Sequence, residues 1–343
     1  MDTPPFPNMK RTLLFTLVGT LTALTPNLHS AEPKKVIVCT VTTGFRHGSI
    51  PYAEKTLQKL ADESKAFTIV DFARQPTTEV PRKPDKPGDL KPDADEKAKA
   101  KHDEEMKNYE AELAKWTPEM EAKARLAAMG RDLEMKESML KLAPDILKLH
   151  HIDAVIFANT TGDLPMEDRV GFLQWIEEGH AFCAMHSGSD TFHGFPGYNA
   201  MLQGEFRTHG AQVPADLIAG DTKHPANAGI GETWNITQEE MYEFKDGSHD
   251  RSKVHVLWFL RHPPTDKNKA EYAGVSWCRM AGKGRVFYTS LGHREDLWSD
   301  DPKLGDRKNS IEISKQYQAH ILGGIKWALG LAEGSATPNP EIK

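Results

Sequence analysis

Four short apolar runs, each separated from the next by helical sequence, constrain this chain more than any other feature: KVIVCTV (35–41), FTIVDFA (67–73), DAVIFANTT (153–161) and AFCAM (181–185). Runs this short and rich in β-branched residues read as strands buried on both faces. Between them, SIPYAEKTLQKLADES sets Ile50, Ala53, Leu57 and Leu60 at helical spacing, with Ser49 as a candidate N-cap. A further helical pattern ends near Leu149, and MEDRVGFLQWIEEG reads as a helix closed by Gly179. Strands alternating with helices predict an α/β fold with a parallel, doubly wound sheet. Ligands of such sheets sit beyond the carboxyl ends of the strands. AFCAM delivers His186, Ser187, Ser189 and Asp190 at that place.

The second half changes character. ADLIAG, ETWNIT, KVHVLWFL, AGVSWCRM and GRVFYTSL follow one another with little helix between, and GKG (282–284) suits a hairpin turn. Some of these strands should extend the sheet and others form a small antiparallel layer beside the site. A last helix, SIEISKQYQAHILGGIKWALG, should pack back on the sheet. At about 76–135 the alternation is interrupted by a Pro- and charge-rich linker and a helical hairpin. There Met106, Tyr109, Leu113 and Trp116 make one narrow apolar face, and Thr117-Pro118 starts a new helix. The insertion reads as a lid, a partner-binding arm or a tolerated surface addition.

Lys10 and Arg11 precede an uncharged stretch, Thr12 to Thr25, and then PNLHSAEP. This is the order of a Sec-type signal peptide, 1–31, cleaved after Ala31. It predicts a periplasmic or secreted protein with no membrane attachment after cleavage. Residues 32–334 would be the folded domain and 335–343 a disordered tail. Cys39, Cys183 and Cys278 lie in strand-like contexts without CxxC spacing, so buried free thiols are expected. The net charge of −6 gives no reason to expect nucleic-acid binding.

Polar residues cluster after several strands: Thr42, Thr43, Arg46 and His47; Asn159, Thr160, Thr161 and Asp163; Arg207 and His209; His293, Arg294, Glu295 and Asp296. His224, Glu239, Glu240 and Tyr242 are further candidates. Strand ends converge in space, and such a set permits general acid–base work or a His/carboxylate metal site. HExxH, GxGxxG and GxxxxGK[ST] are absent. A serine hydrolase would need a GxSxG turn, but Ser187 follows AMH.

In this order, TTGFRHGSIPYA, FANTTGDLP, CAMHSGSDTFHGFPGYNAMLQGEFRTHG, HPANAG, EEMYEF and GRVFYTSLGHREDLW resemble the ThuA-like (trehalose-utilisation) family. The resemblance runs from Lys35 to about Gly330, apart from the insertion, which is longer than the family usually carries. It implies a flavodoxin-like three-layer αβα sandwich of the class I glutamine amidotransferase-like superfamily. It also implies work on trehalose-type disaccharides and their 3-keto derivatives. Class I amidotransferases place a nucleophilic cysteine at the strand–helix turn. Here AMHSG holds that turn with His186, and Cys183 lies three residues earlier. Glutamine hydrolysis is therefore not expected, whereas imidazole serves as base, acid or ligand.

Carried onto this sequence, the family pattern marks His186, His209, Glu240 and His293 as the catalytic centre. His186, His209 and His293 would be the ligands of a divalent metal such as zinc, should one bind. Arg46, His47, Thr161, Asp190, Tyr242 and Trp277 would contact substrate. The expectation is an exported enzyme, a hydrolase, lyase or isomerase, acting on a glycoside or its 3-keto derivative. The alternative is a non-catalytic carbohydrate-binding or assembly protein. A small carbohydrate is the expected partner, and a homo-oligomer is left open.

Overall fold

The computed structural model describes residues 1–2, 32–262 and 272–342. Apart from its first two residues, the expected signal peptide lies outside the described residues. From Pro33 onward the chain is one unit. Its strands are β1 (Lys34–Cys39), β2 (Phe67–Ala73), β3 (Ala154–Ala158), β4 (Ala181–Met185), β5 (Phe206–His209), β6 (Val213–Ala219), β7 (Thr233–Glu239), β8 (Tyr242–Phe244), β9 (His255–Leu260), β10 (Ala273–Ala281) and β11 (Gly284–Thr289). Its helices are α1 (Ile50–Ser64), α2 (Glu96–Leu113), α3 (Pro118–Leu140), α4 (Pro144–Leu149), α5 (Arg169–Glu177), α6 (Pro196–Leu202), α7 (Glu295–Trp298) and α8 (Ile311–Ala328).

One sheet runs β2-β1-β3-β4-β11-β10-β9-β6-β7. Its first five strands are parallel and reproduce the 2-1-3-4-5 order of flavodoxin-like folds. The other four continue it antiparallel. All five late apolar runs therefore enter the main sheet. The small antiparallel layer is instead β5 with β8, and its register sets His209 opposite Tyr242.

The pleat explains the three layers. Val36 and Val38 of β1 point into one core with Ala53 and Leu57 of α1 and Ile321 and Ile325 of α8. Ile37 and Cys39 point into the other with Phe172 and Trp175 of α5 and Met139 of α3. Each such aliphatic or aromatic side chain contributes about 1.5–3 kcal/mol on burial, so both faces of the parallel strands are committed to packing. Only the strand ends remain for chemistry. All three cysteines are free and buried, as expected.

The insertion between β2 and β3 is helical. Asp95 caps α2 by accepting from the Ala98 N–H, and Thr117 caps α3 by accepting from Met120. Buried residues are absent from α2, whereas α3 is anchored through Ala124, Met135 and Met139.

Two local expectations change. Ser49 does occupy the N-cap position of α1, but its hydroxyl donates to the Gly292 carbonyl at 3.1 Å and caps nothing. It ties α1 to the loop after β11 that carries His293. The tail expected to be disordered is tied down: Asn339 Oδ1 accepts from the Val256 N–H at 2.7 Å, and the Thr337 carbonyl from His255 Nδ1 at 2.6 Å. The first donor is a main-chain group of β9 beyond its short pairing with β6, and the second is a side chain of the same strand. No helix among the described residues is long and apolar enough to cross a membrane.

Candidate active site and metal centre

Strand β4 ends in a sharp turn. His186 takes φ +48°, the left-handed region that a non-glycine residue enters only when the surroundings hold it there. Two buried phenols hold the turn: Tyr288 donates to the His186 carbonyl at 2.9 Å, and Tyr198 to the Gly188 carbonyl at 2.7 Å. Gly188 is required, since a Cβ there would lie 2.8 Å from the Ala184 side chain. The turn drives the His186 imidazole off the end of the sheet. Its Nδ1 lies 2.8 Å from the Ser290 carbonyl, which only accepts, so Nδ1 carries the proton and Nε2 offers a lone pair.

Four other elements converge on that lone pair. His47, from the β1–α1 loop, brings its Nε2 to 3.2 Å, and Ser187 Oγ, 3.3 Å from His47 Nδ1, orients the ring. Tyr242, which opens β8, donates its hydroxyl at 2.8 Å. Glu240 follows β7 and lies with Oε2 3.8 Å from His186 Nε2 and 3.1 Å from Nδ1 of His293, the latter on the β11–α7 loop. Despite that short distance, His293 Nδ1 makes no aligned hydrogen bond and is a buried nitrogen without a donor or acceptor partner.

One ligand atom from each of His47, His186, Glu240 and His293 lies within 4.8 Å of all the others. A tetrahedral ion with bonds of about 2.0–2.1 Å needs ligand separations of roughly 3.3 Å. Three of the six separations, at 3.1, 3.2 and 3.8 Å, lie near that length, and all six are within 4.8 Å. The His186 Nδ1–carbonyl bond is the outer support that metal-bound histidines use.

Electrostatics favours the same reading. Burial, then the neighbouring His293, lowers His47 to about 4. Burial, then His47 and His293, takes His186 well below the ordinary histidine value. Both rings are therefore neutral near pH 7, the form that binds a cation. Burial pulls His293 down, but Glu240, then Glu239, outweighs it and the net shift is upward. Burial, then Tyr288 and Glu240, takes Tyr242 well above 10, so it stays a protonated donor.

The family model for trehalose utilisation, ThuA, matches residues 35–328, which spans every element of this centre. The chain belongs to the ThuA family. A ThuA-like protein from Parabacteroides merdae shares the fold with a TM-score of 0.54 at 16% identity, covering 90% of this chain and 96% of that one. One from Bacteroides uniformis does so at 0.52 and 14% identity, covering 93% and 99%. No curated protein matches the chain.

Within this ThuA fold the expected residues separate into four groups. His186, Glu240, His293, His47 and Tyr242 meet. His209 stands at the open side, with Nδ1 3.5 Å from Glu240 Oε1 and also 2.7 Å from the Gly210 carbonyl, so His47 takes the ligand place assigned to His209. Thr161 and Asp190 act as brackets: Thr161 Oγ1 donates to the Phe45 carbonyl, and the Asp190 carbonyl accepts from Gly162. Arg46 turns away to the Thr40 carbonyl and Gln75 Oε1. Trp277 is fully buried, with its indole N–H on the Leu202 carbonyl, and has no face for a sugar. Position on a strand gave no warning, because a tryptophan in β10 packs the core as readily as it lines a cleft.

Phe45 went unnoticed in the sequence, although it adjoins Arg46 and His47. It is 67% exposed and stands edge-on to His47, with ring centroids 4.9 Å apart. Glu239, a candidate from the sequence, supports the centre from behind. Burial pushes it up to about 7, yet it accepts from the backbone N–H groups of His293 and Arg294 and so sets the His293 loop.

The same loop rests on Asp296, which pairs with buried Arg294 and accepts from the Lys308 and Asn309 N–H groups. Asp296→Ala leaves Arg294 with Asp306 at 3.6 Å and Gln212 but strands the Lys308 and Asn309 N–H groups, and should cost about 3 kcal/mol. Urea unfolding midpoints measure it, and a loss below about 1 kcal/mol contradicts the assignment.

Proposed function

We propose that this ThuA-family chain is an exported enzyme processing a disaccharide or glycoside, or its 3-keto derivative, by His/Glu proton chemistry at a divalent-metal centre. One observation carries the reading. The lone pair of His186 Nε2 meets two more histidines, a carboxylate and a neutral phenol at a sheet end that opens through His209. No amidotransferase nucleophile stands there, since Cys183 is buried inside β4 with its thiol pushed far above its ordinary value by burial.

The chemistry follows from a keto group, which acidifies the neighbouring C–H. A base of the cluster, His293, takes that proton and the electron pair forms an enolate. Collapse of the enolate breaks the β C–O bond, and Tyr242 or protonated His293 gives its proton to the departing oxygen. A divalent cation such as zinc, held by His47, His186 and Glu240, would keep a position open to polarise the carbonyl and leave His293 to carry the proton. Phe45 supplies the exposed apolar face that Trp277 does not, and stacks the sugar ring at the rim. Phe45→Ala should raise KM several-fold with kcat little changed, the signature of lost uniform binding. Equal loss in kcat would place Phe45 in the chemistry instead.

The test is elemental analysis of protein purified without a metal-affinity tag. It is followed by incubation with glucosides and 3-keto-glucosides, with and without EDTA, read by mass spectrometry. Bound zinc and EDTA-sensitive cleavage or isomerisation support the proposal. Sugar binding without turnover returns the non-catalytic alternative. Cleavage after Ala31 is checked by the mass of the mature N-terminus.

A further inference from the structure

Helix α3 carries an apolar stripe on the side away from its anchor. Ala124, Met135 and Met139 face the core. Leu126, Met129, Leu133 and Leu140 lie on the opposite side and are 70, 68, 59 and 49% exposed. Their 3-4-7 spacing follows the a and d positions of a coiled coil, with exposed Lys136 at the d position between Leu133 and Leu140 and Ala122 extending the stripe by one step. A solvated helix face gains nothing from four large apolar side chains in register. The helix is long enough for such a partner, at about 34 Å.

The flanking charges identify the partner. Exposed Lys123 and Arg125 border the stripe in the N-terminal half, and exposed Asp132 and Glu137 border it in the C-terminal half. Lys123 and Glu137 share one flank, and Arg125 and Asp132 the other. Arg125 also holds Glu121 within its own helix at 3.2 Å. Two copies of this helix laid antiparallel bring Met129 of each against Leu133 of the other. They also bring Lys123 of each copy beside Glu137 of the other along one flank, while on the second flank Asp132 lies next to the two-fold axis and faces its counterpart. A parallel pair would oppose like charges.

We propose that α3 is a self-association surface, through which two copies of this chain pair antiparallel about a two-fold axis. The arrangement is isologous, as closed dimers require. One helix per copy makes a small interface, so the dimer is concentration-dependent. The inner side of α3 meets the loops at the carboxyl end of the sheet, where Glu134 accepts from Thr78 and Ser138 donates to the Arg74 carbonyl. Pairing would therefore brace the site rim without contributing a residue to the centre.

Sedimentation velocity of the full chain across a concentration series tests this. Wild type should shift from monomer to dimer, and L126E/L133E should stay monomeric with an unchanged circular-dichroism spectrum. Lys123→Glu and Glu137→Lys should each weaken the dimer, and the two together should restore it, which a merely sticky surface would not do. A wild type that remains monomeric overturns the proposal, as does a dimer that L126E/L133E leaves intact. Monomeric wild type that floats with anionic vesicles, and loses this in L126E/L133E, assigns the stripe to lipid and overturns it equally.

Discussion

His186→Asn should leave a folded protein with turnover reduced by about 10²–10⁴ and its metal content largely lost. Asparagine is the informative choice because it tolerates the left-handed backbone that position 186 adopts. The turn is held by Tyr288 and Tyr198 through main-chain carbonyls, which the substitution leaves in place. What disappears is the Nε2 lone pair that His47, Glu240 and Tyr242 surround. His209→Asn is the contrast, since His209 stands outside the ligand set and its Nδ1 faces the Gly210 carbonyl. It should lower turnover less and leave metal content near wild type. Turnover on the panel substrate and metal per chain read both variants. Wild-type values in His186→Asn would sink the proposed centre.

Acidification from pH 6.5 to 4 should cost the fold about 6 kcal/mol from two histidines remote from the site. Burial, then His255, lowers His224 to about 3, and burial lowers His320 to about 4. His320 is packed with Nδ1 on the Ala226 carbonyl and Nε2 on Ser276, and His224 accepts from the Ala226 N–H while facing the Cys278 thiol. Both are neutral when folded. In the unfolded chain they take up protons from about pH 6.5 downward. Their stability contribution is therefore complete above 6.5 and declines by about 1.4 kcal/mol per unit for each group as pH falls toward the folded values. Set against a typical total of about 5–15 kcal/mol, this should bring the protein close to unfolding near pH 4. The readout is the slope of unfolding free energy against pH. His320→Gln should flatten it by about one proton, whatever its constant effect on stability, and an unchanged slope contradicts the mechanism.

The strand ends were legible because their signal is local. Four runs with both faces apolar demand helices on either side, and polar residues directly after such runs must emerge at the carboxyl edge. That places His47, Thr161 and His186 at this edge. The same reasoning misassigned Trp277, since strand alternation does not say whether an aromatic packs inward or lines a cleft. It passed over Phe45, because an exposed aromatic beside a histidine has no sequence signature. His209 and His47 differ only in where their loops end. The β5–β8 register carries one histidine to the open side, and the Ser187 hydroxyl orients the other inward.

By itself, the sequence determined the layered α/β architecture, the edge of the sheet at which polar groups collect and most of the residue types gathered there. Periodicity and burial act over a few residues, so they can be read without the fold. Tertiary structure alone decided which nitrogen of each histidine is free, which carboxylate oxygen it faces and which aromatic is exposed. Those depend on distances of about 3 Å between residues over a hundred positions apart, as between His47 and His186. Chain-local patterns carry no information on that scale.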